Sequence, residues 1–261
     1  MNLSASLSLQ ARSVFALMLR RVRTRYAGSR AGYIWAIVEP ICWVFILKFS
    51  LRGAASHHPP VGTSYEVFFA TGVIIARTWR KTSPSIAGTL RRRKREGLTA
   101  LHRLDAAYAV WILEIVTGLV AMSIVLFILG VFGFDVVPAD PLTCLAAFVA
   151  MAFYTLGFAL LWSLLTSLAP GLLHFQGILM MALFLSSGFH MIIDRVPPVI
   201  REVFLWNPIL HCVEWFREGF YPGYVCASLD RGYLLTVTIV FIAIGLAGER
   251  ALRDHKAARK K

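Results

Sequence analysis

Apolar residues in this sequence fall into blocks, and the blocks are about as long as a bilayer is thick. A helix needs roughly 20 apolar residues to cross a hydrocarbon core of about 30 Å. Blocks near that length occupy 33–51, 66–86, 107–131, 142–166, 172–193 and 231–248. Lipid offers no partner to a backbone N–H or C=O, so each block must satisfy its own polar groups as a helix. Hydrophobic residues make up 57% of the chain and charged residues 16%, against about 45–50% and 25% in soluble domains. The expected fold is a single all-α membrane domain over 1–261. It has six transmembrane helices, an N-terminal amphipathic interface helix and a re-entrant hairpin between spans five and six.

A net charge of +13 would point to nucleic acid in a soluble chain. Here the cations sit between and beside the apolar blocks, so they are read as orientation signals, and no nucleic-acid partner is expected. The N-terminal segment 1–32 is Arg-rich, as are Arg91–Arg95 and the tail with Arg250, Arg253, Lys256, Arg259, Lys260 and Lys261. The loop 133–141 holds Asp135 and Asp140 and no Lys or Arg. The positive-inside rule then places both termini and the 87–106 loop in the cytoplasm, which requires an even number of crossings. Met1 to Gln10 lacks the basic start, apolar run and small-residue cleavage site of a secretory leader, so insertion is expected to rely on the spans themselves.

Residues 7–30 read as an amphipathic helix on the membrane surface. Phe15, Met18, Leu19, Val22 and Tyr26 share one face, flanked by Arg20, Arg21, Arg23 and Arg25. Such a helix anchors to anionic lipid, and a sharper reading makes the Arg cluster a lateral gate for a lipid-linked substrate. Glu39-Pro40 stands inside the first span. Pro kinks a helix, and a carboxylate at that depth must face protein or water.

In the second span Arg77, Arg80 and Lys81 stand at i, i+3 and i+4, on one helical face. They either line the cytoplasmic mouth of a path and attract a lipid phosphate or sugar acid, or they snorkel to the inner headgroups. The loop from Arg91 to Asp105 is expected to hold a short docking helix, with Leu98, Leu101 and Leu104 as apolar contacts and Arg95, Arg103 and Asp105 at the rim.

The stretch 194–230 is apolar but broken. Pro197-Pro198 starts one short helix, and Asn207 with Pro208 caps another, ended by Tyr221-Pro222-Gly223. Each is too short to cross a bilayer, which suggests a segment that dips in and returns on the outer side. His211, Glu214 and Glu218 share a face, and Arg217 is placed to pair with Glu214. Trp206, Trp215 and Tyr221 are candidates to stack on sugar rings at the exit of a path, or to form an interfacial aromatic belt.

Chemistry is otherwise sparse. No phosphate-cradling G-x-x-x-x-G-K-[ST] loop, H-E-x-x-H or G-x-S-x-G occurs. Of the cysteines, Cys42 and Cys144 sit in apolar blocks, and Cys212 and Cys226 fall where a disulfide is permitted. No catalytic group, metal or cofactor is expected on this chain. A membrane enzyme acting on lipid-linked glycans would need an acid or nucleophile cluster that the sequence lacks.

Two motifs are more specific. Arg23-Thr24-Arg25-Tyr26 followed by Gly32-Tyr33-Ile34-Trp35-Ala36-Ile37-Val38-Glu39-Pro40 resembles the lead-in to the first span of ABC-2 type polysaccharide export permeases. Leu205-Trp206-Asn207-Pro208-Ile209-Leu210-His211-Cys212-Val213-Glu214, then Arg217-Glu218 and Tyr221-Pro222-Gly223-Tyr224, resembles their outer hairpin. The likeness covers nearly the whole chain and is strongest to the capsular polysaccharide exporters of Gram-negative bacteria. O-antigen and teichoic acid exporters share the architecture, and an ABC-2 exporter of a drug or lipid is the further alternative. The resemblance implies an inner-membrane homodimer with two copies of a cytoplasmic ABC ATPase, which binds the ATP and Mg. It also implies a periplasmic co-polymerase, an outer-membrane export protein and a lipid-linked, often acidic, polysaccharide passing between the subunits. The chain departs from the family at Arg77, Arg80 and Lys81, where members carry mostly apolar or small polar residues.

Overall fold

The computed structural model describes residues 3–26, 38–39, 41–46, 49, 59–96 and 103–258. Among the described residues every regular element is helical: α1 (Leu3–Tyr26), α2 (Tyr65–Glu96), α3 (Arg103–Val131), α4 (Pro141–Leu168), α5 (Leu172–Leu185), α6 (Pro198–Leu205), α7 (Pro208–Phe220) and α8 (Arg231–Ala258). Three of these are long and apolar enough to cross a membrane, at Leu104–Val131, Pro141–Leu168 and Arg231–Leu252. Of the first expected span, 33–51, the described residues 38–39, 41–46 and 49 are helical, and the remainder lies outside the described residues.

The boundaries differ from those expected in informative ways. α1 begins at Leu3, ahead of the expected residue 7, and is described to Tyr26; residues 27–30 of the expected helix lie outside the described residues. The second helix does not stop at residue 86; it continues through Arg91–Glu96, because Arg, Lys and Glu are good helix formers that need no apolar face once clear of the core. That extension and the start of α3 at Arg103 place 87–96 and 103–106 of the expected 87–106 loop in helices, and residues 97–102 lie outside the described residues. The fifth helix is 14 residues long, about 21 Å, instead of a span over 172–193. Ser186 ends it, Ser187 Oγ donates to the Phe184 carbonyl at 2.7 Å, and Gly188 turns the chain at φ +70°, a conformation that side chains resist.

α4 forms the centre, with 72% of its most apolar window buried, against 28% for α3 and 17% for α8. It packs on α2, α7 and α8. Against α2, Trp79 lies 5.3 Å from Phe158 and 6.5 Å from Tyr154, centroid to centroid. Against α8 the contact is made by small residues: Gly157 faces Ile242, Gly245 faces Leu160 and Gly248 faces Leu164. This register makes α4 and α8 parallel, and glycines permit the close backbone approach on which helix association in lipid depends. α3 runs antiparallel to α2, with Gly118 opposite Thr78 and Ile86, Leu90, Ala107 and Val110 in one cluster. Its outward face carries exposed Val116, Leu119, Val120 and Phe127.

The two ends of the bundle differ. At one end α1 lies over α2 and α3, where Arg21 Nη1 donates to Thr89 Oγ1 at 3.1 Å and Gln10 Nε2 donates to Asp105 Oδ1 at 3.2 Å. Arg91 reaches Thr166 of α4 there, at 3.3 Å. The parallel register of α4 and α8 brings Glu249 and Arg250 to the same end. The other end carries the 132–140 loop and the α6–α7 hairpin. Asp140 caps α4 by accepting from the Leu142 and Thr143 N–H groups, and its carboxyl is held below the usual range by the Thr143 hydroxyl and N–H.

Candidate functional site

Two polar assemblies interrupt the apolar interior, and they are built differently. The first is the cationic face of α2. Arg77 lies about 18 Å along α2 from its first residue, beside Thr78, which meets Gly118 near the middle of α3. Arg77 Nε donates to Glu39 Oε1 at 3.1 Å, and Nη2 faces Glu39 Oε2. Arg80 places its guanidinium 5.0 Å over the Phe184 ring of α5, and Trp43 meets the same ring edge-on at 5.9 Å. Lys81 turns to the α2–α3 seam. There it lines a cavity of about 20 Å³ with Arg77, Thr78, Thr82, Glu114 and Thr117, room for a single water. One turn further, Pro84 lies within α2 and cannot donate to the Arg80 carbonyl.

Sequence reasoning grouped Arg77, Arg80 and Lys81 but missed both carboxylates near them. Glu39 was noted only as a costly charge, and Glu114 was passed over inside the most apolar stretch of α3. The available signal was the rarity of an acid at that depth, which marks a position with a partner or a function. Nothing in the sequence says which cation it meets.

The second assembly holds the hairpin. Arg217 is wholly buried. Its Nη1 donates to the carbonyls of Gly188 at 2.9 Å and Met191 at 3.0 Å, and Nη2 to that of Phe189 at 2.8 Å. It also lies 3.3 Å from Glu214 Oε1 and 4.0 Å over the Phe68 ring. Glu214 Oε2 accepts from Tyr224 OH at 2.6 Å. Burial pushes the Glu214 carboxyl above the usual range, against the pull of Arg217 and Tyr224. Asn207 caps α7 by accepting from the Ile209 N–H at 3.1 Å, while its Nδ2 donates to the Leu183 carbonyl at 2.7 Å.

The polar face of α7 therefore points into protein within this chain. His211 and Glu214, expected with Glu218 to line the exit of the path, are buried in this chain, and Glu218 is largely so. His211 Nδ1 accepts from the Asp230 N–H at 3.2 Å and Nε2 bonds the Leu205 carbonyl at 2.9 Å. Nδ1 must then be unprotonated, and burial holds the imidazole below its ordinary value despite the Leu205 carbonyl and Asp230. Glu218 accepts from the Cys226 N–H at 3.1 Å and pairs with Arg231. Of the three aromatics proposed for sugar stacking, Tyr221 is buried and Trp206 open. Arg231 covers Trp215 at 5.1 Å. Cys212 and Cys226 are free thiols in separate clusters, not a disulfide.

At the α1 end, Arg20 and Arg23 are exposed and Arg21 is half-buried on Thr89. Phe15 and Leu19 of the apolar stripe are exposed. Arg25 lies in the last turn of α1. Leu104, expected as an apolar docking contact, packs on the Ile86–Leu90 cluster, and Asp105, expected at the rim, is buried and accepts from Gln10 of α1. Arg95 belongs to α2 and Arg103 opens α3. Leu98 and Leu101 lie outside the described residues. No separate docking helix forms between Arg91 and Glu96, since those residues extend α2.

Comparison with known proteins adds the following. The profile of the family described as ABC-2 type transporter matches residues 12–221. The chain is 28% identical over 250 residues to the capsule polysaccharide export inner-membrane protein CtrC of Neisseria meningitidis serogroup B, covering 93% of this chain and 91% of that one. It is 27% identical over 238 residues to the polysialic acid transport protein KpsM of Escherichia coli, at 90% and 91% coverage. It is 25% identical over 246 residues to the capsule polysaccharide export inner-membrane protein BexB of Haemophilus influenzae, at 92% and 91%.

Proposed function

The chain belongs to the ABC-2 type transporter family, and from that premise we propose that it is the membrane-spanning subunit of an ATP-driven exporter of capsular polysaccharide. The observation that carries the proposal is the end-to-end likeness to inner-membrane proteins named for capsule polysaccharide export in three genera. A shared module alone would leave a large part of one chain unmatched.

The physical reading fits that role. The sequence carries no nucleotide-binding loop, so the power stroke comes from a separate cytoplasmic ATPase that binds ATP and Mg. The Arg-rich end with α1, the end of α2 and the end of α8 faces the cytoplasm and receives two copies of that ATPase. The Asp135–Asp140 end and the hairpin face the periplasm. Six segments cross, the fifth made of the short α5 and the turn after it, the α6–α7 pair re-enters from the outside, and two copies of the chain enclose the path. The exposed apolar faces of α3 and α8 meet lipid or the second copy. Arg77, Arg80 and Lys81 supply positive charge at a depth where an acidic, lipid-anchored glycan would otherwise meet only hydrocarbon. A periplasmic co-polymerase and an outer-membrane export protein take the polymer onward.

Deletion of the gene tests the proposal. The expected result is polymer accumulated inside the cell and an uncapsulated surface, both reversed by the wild-type chain. Normal surface polymer in the deletion strain contradicts it.

A further inference from the structure

We propose that Glu39 is a built-in counter-ion masking an anion-binding site centred on Arg77, and that an anionic group of the transported molecule takes its place. The inference rests on the reading of the chain as a glycan exporter and describes how that site is kept closed between substrates.

Arg217, wholly buried, and Arg77, partly buried, show the contrast. Arg217 is bonded to three backbone carbonyls and a buried carboxylate, partners that no substrate can replace without unfolding the hairpin. Arg77 is held by a side chain from another element. Its own side chain is 13% exposed, whereas that of Glu39 is 42% exposed. Arg80, one turn along the same face, rests on an aromatic ring. Arg77 is thus neutralised by a half-exposed group that can move aside, while Arg80 lies against a buried ring that stays in place.

Depth makes the exchange necessary. A guanidinium near the middle of a membrane helix is costly without compensation, so Arg77 needs an anion in every state. The arginine fork accepts a carboxylate or a phosphate in the same bidentate geometry. A sugar acid or a lipid phosphate arriving on the open flank of Glu39 offers the same chemistry as Glu39 itself. Glu39, freed from Arg77, can then turn to its exposed side, while Arg80 remains to hold the anion's second oxygen.

Binding is measured on the permease–ATPase complex in neutral-lipid nanodiscs. Two probes are used, lyso-phosphatidylglycerol and a free sialic acid oligomer. Glu39→Gln is expected to tighten at least one of them by about two- to fivefold, the range for a partly exposed ion pair, and Arg77→Gln to weaken it. Tightening of the lipid alone identifies a headgroup phosphate, and tightening of the oligomer alone a sugar carboxylate; both outcomes support the inference. The charge-swapped pair E39R/R77E is expected to restore thermal stability without restoring binding, which a merely structural bridge would not do. Glu39→Asn provides the same test should Glu39→Gln fail to assemble. Equal or weaker binding of both probes by the Glu39 variants, or full binding by the swapped pair, overturns the counter-ion role and leaves export intact. Absence of binding of both probes in every form, wild type included, overturns the inference and leaves the export reading to the deletion test.

Discussion

Single residues at the hairpin carry stakes out of proportion to their number. Replacing Arg217 with Met leaves Glu214 buried without its cation and cuts the links to Gly188, Phe189 and Met191. Breaking a buried pair from one side costs about 3–5 kcal/mol, so R217M is expected to lower the melting temperature sharply. Adding Glu214→Leu should recover part of that loss, because an apolar pair needs no partner. Thermal melts of the two variants check both. His211 sets a pH limit on the same region. Its folded value lies below its unfolded one, so its contribution is complete above the ordinary histidine value of about 6.5 and is lost as pH falls through the lowered value. Gln in its place keeps a donor and an acceptor but does not titrate. The melting-temperature advantage of wild type over H211Q should therefore shrink on acidification from about pH 7 to pH 5.

At the scale of elements, the tightest joint is α4 against α8. A Cβ at Gly245 would stand 2.5 Å from Leu160 Cβ, closer than the backbone allows. Gly245→Val is expected to push α8 from α4 at a cost of about 1–3 kcal/mol, seen as a lower melting temperature and a weakened crosslink between cysteines placed at 164 and 248. The sequence revealed elements where local chemistry decides them. Asn207 and Pro208 start α7 and Tyr221 ends it, as a cap and a first-turn proline dictate. The three helices long and apolar enough to cross a membrane were equally plain from length and apolar content. It hid what tertiary context decides. Apolar content stopped α2 at residue 86 and carried α5 to residue 193. The continuation of α2 past residue 86 follows from helix propensity in Arg91–Glu96, and the early end of α5 from the Gly188 turn. The candidate site was legible by half, since i, i+3, i+4 spacing grouped its cations. Glu39 belongs to a different helix, so no local periodicity linked it to Arg77.

For the whole molecule, the asymmetry of charge and the asymmetry of packing agree. α1 and the end of α8 share one end of the bundle, and the acidic loop and hairpin share the other. In a cysteine-free background, Ala139→Cys is expected to react with a membrane-impermeant thiol reagent in intact spheroplasts, and Arg250→Cys only after permeabilisation. The reverse pattern would invert the proposed topology. The central claim is that this chain provides the path and a separate ATPase the power. It is tested most directly in proteoliposomes holding the purified chain with its cognate ATPase and a lipid-linked acidic glycan. The account predicts glycan translocation and glycan-stimulated ATP hydrolysis only when both proteins are present. Hydrolysis by the isolated chain, or translocation without the ATPase, would contradict it.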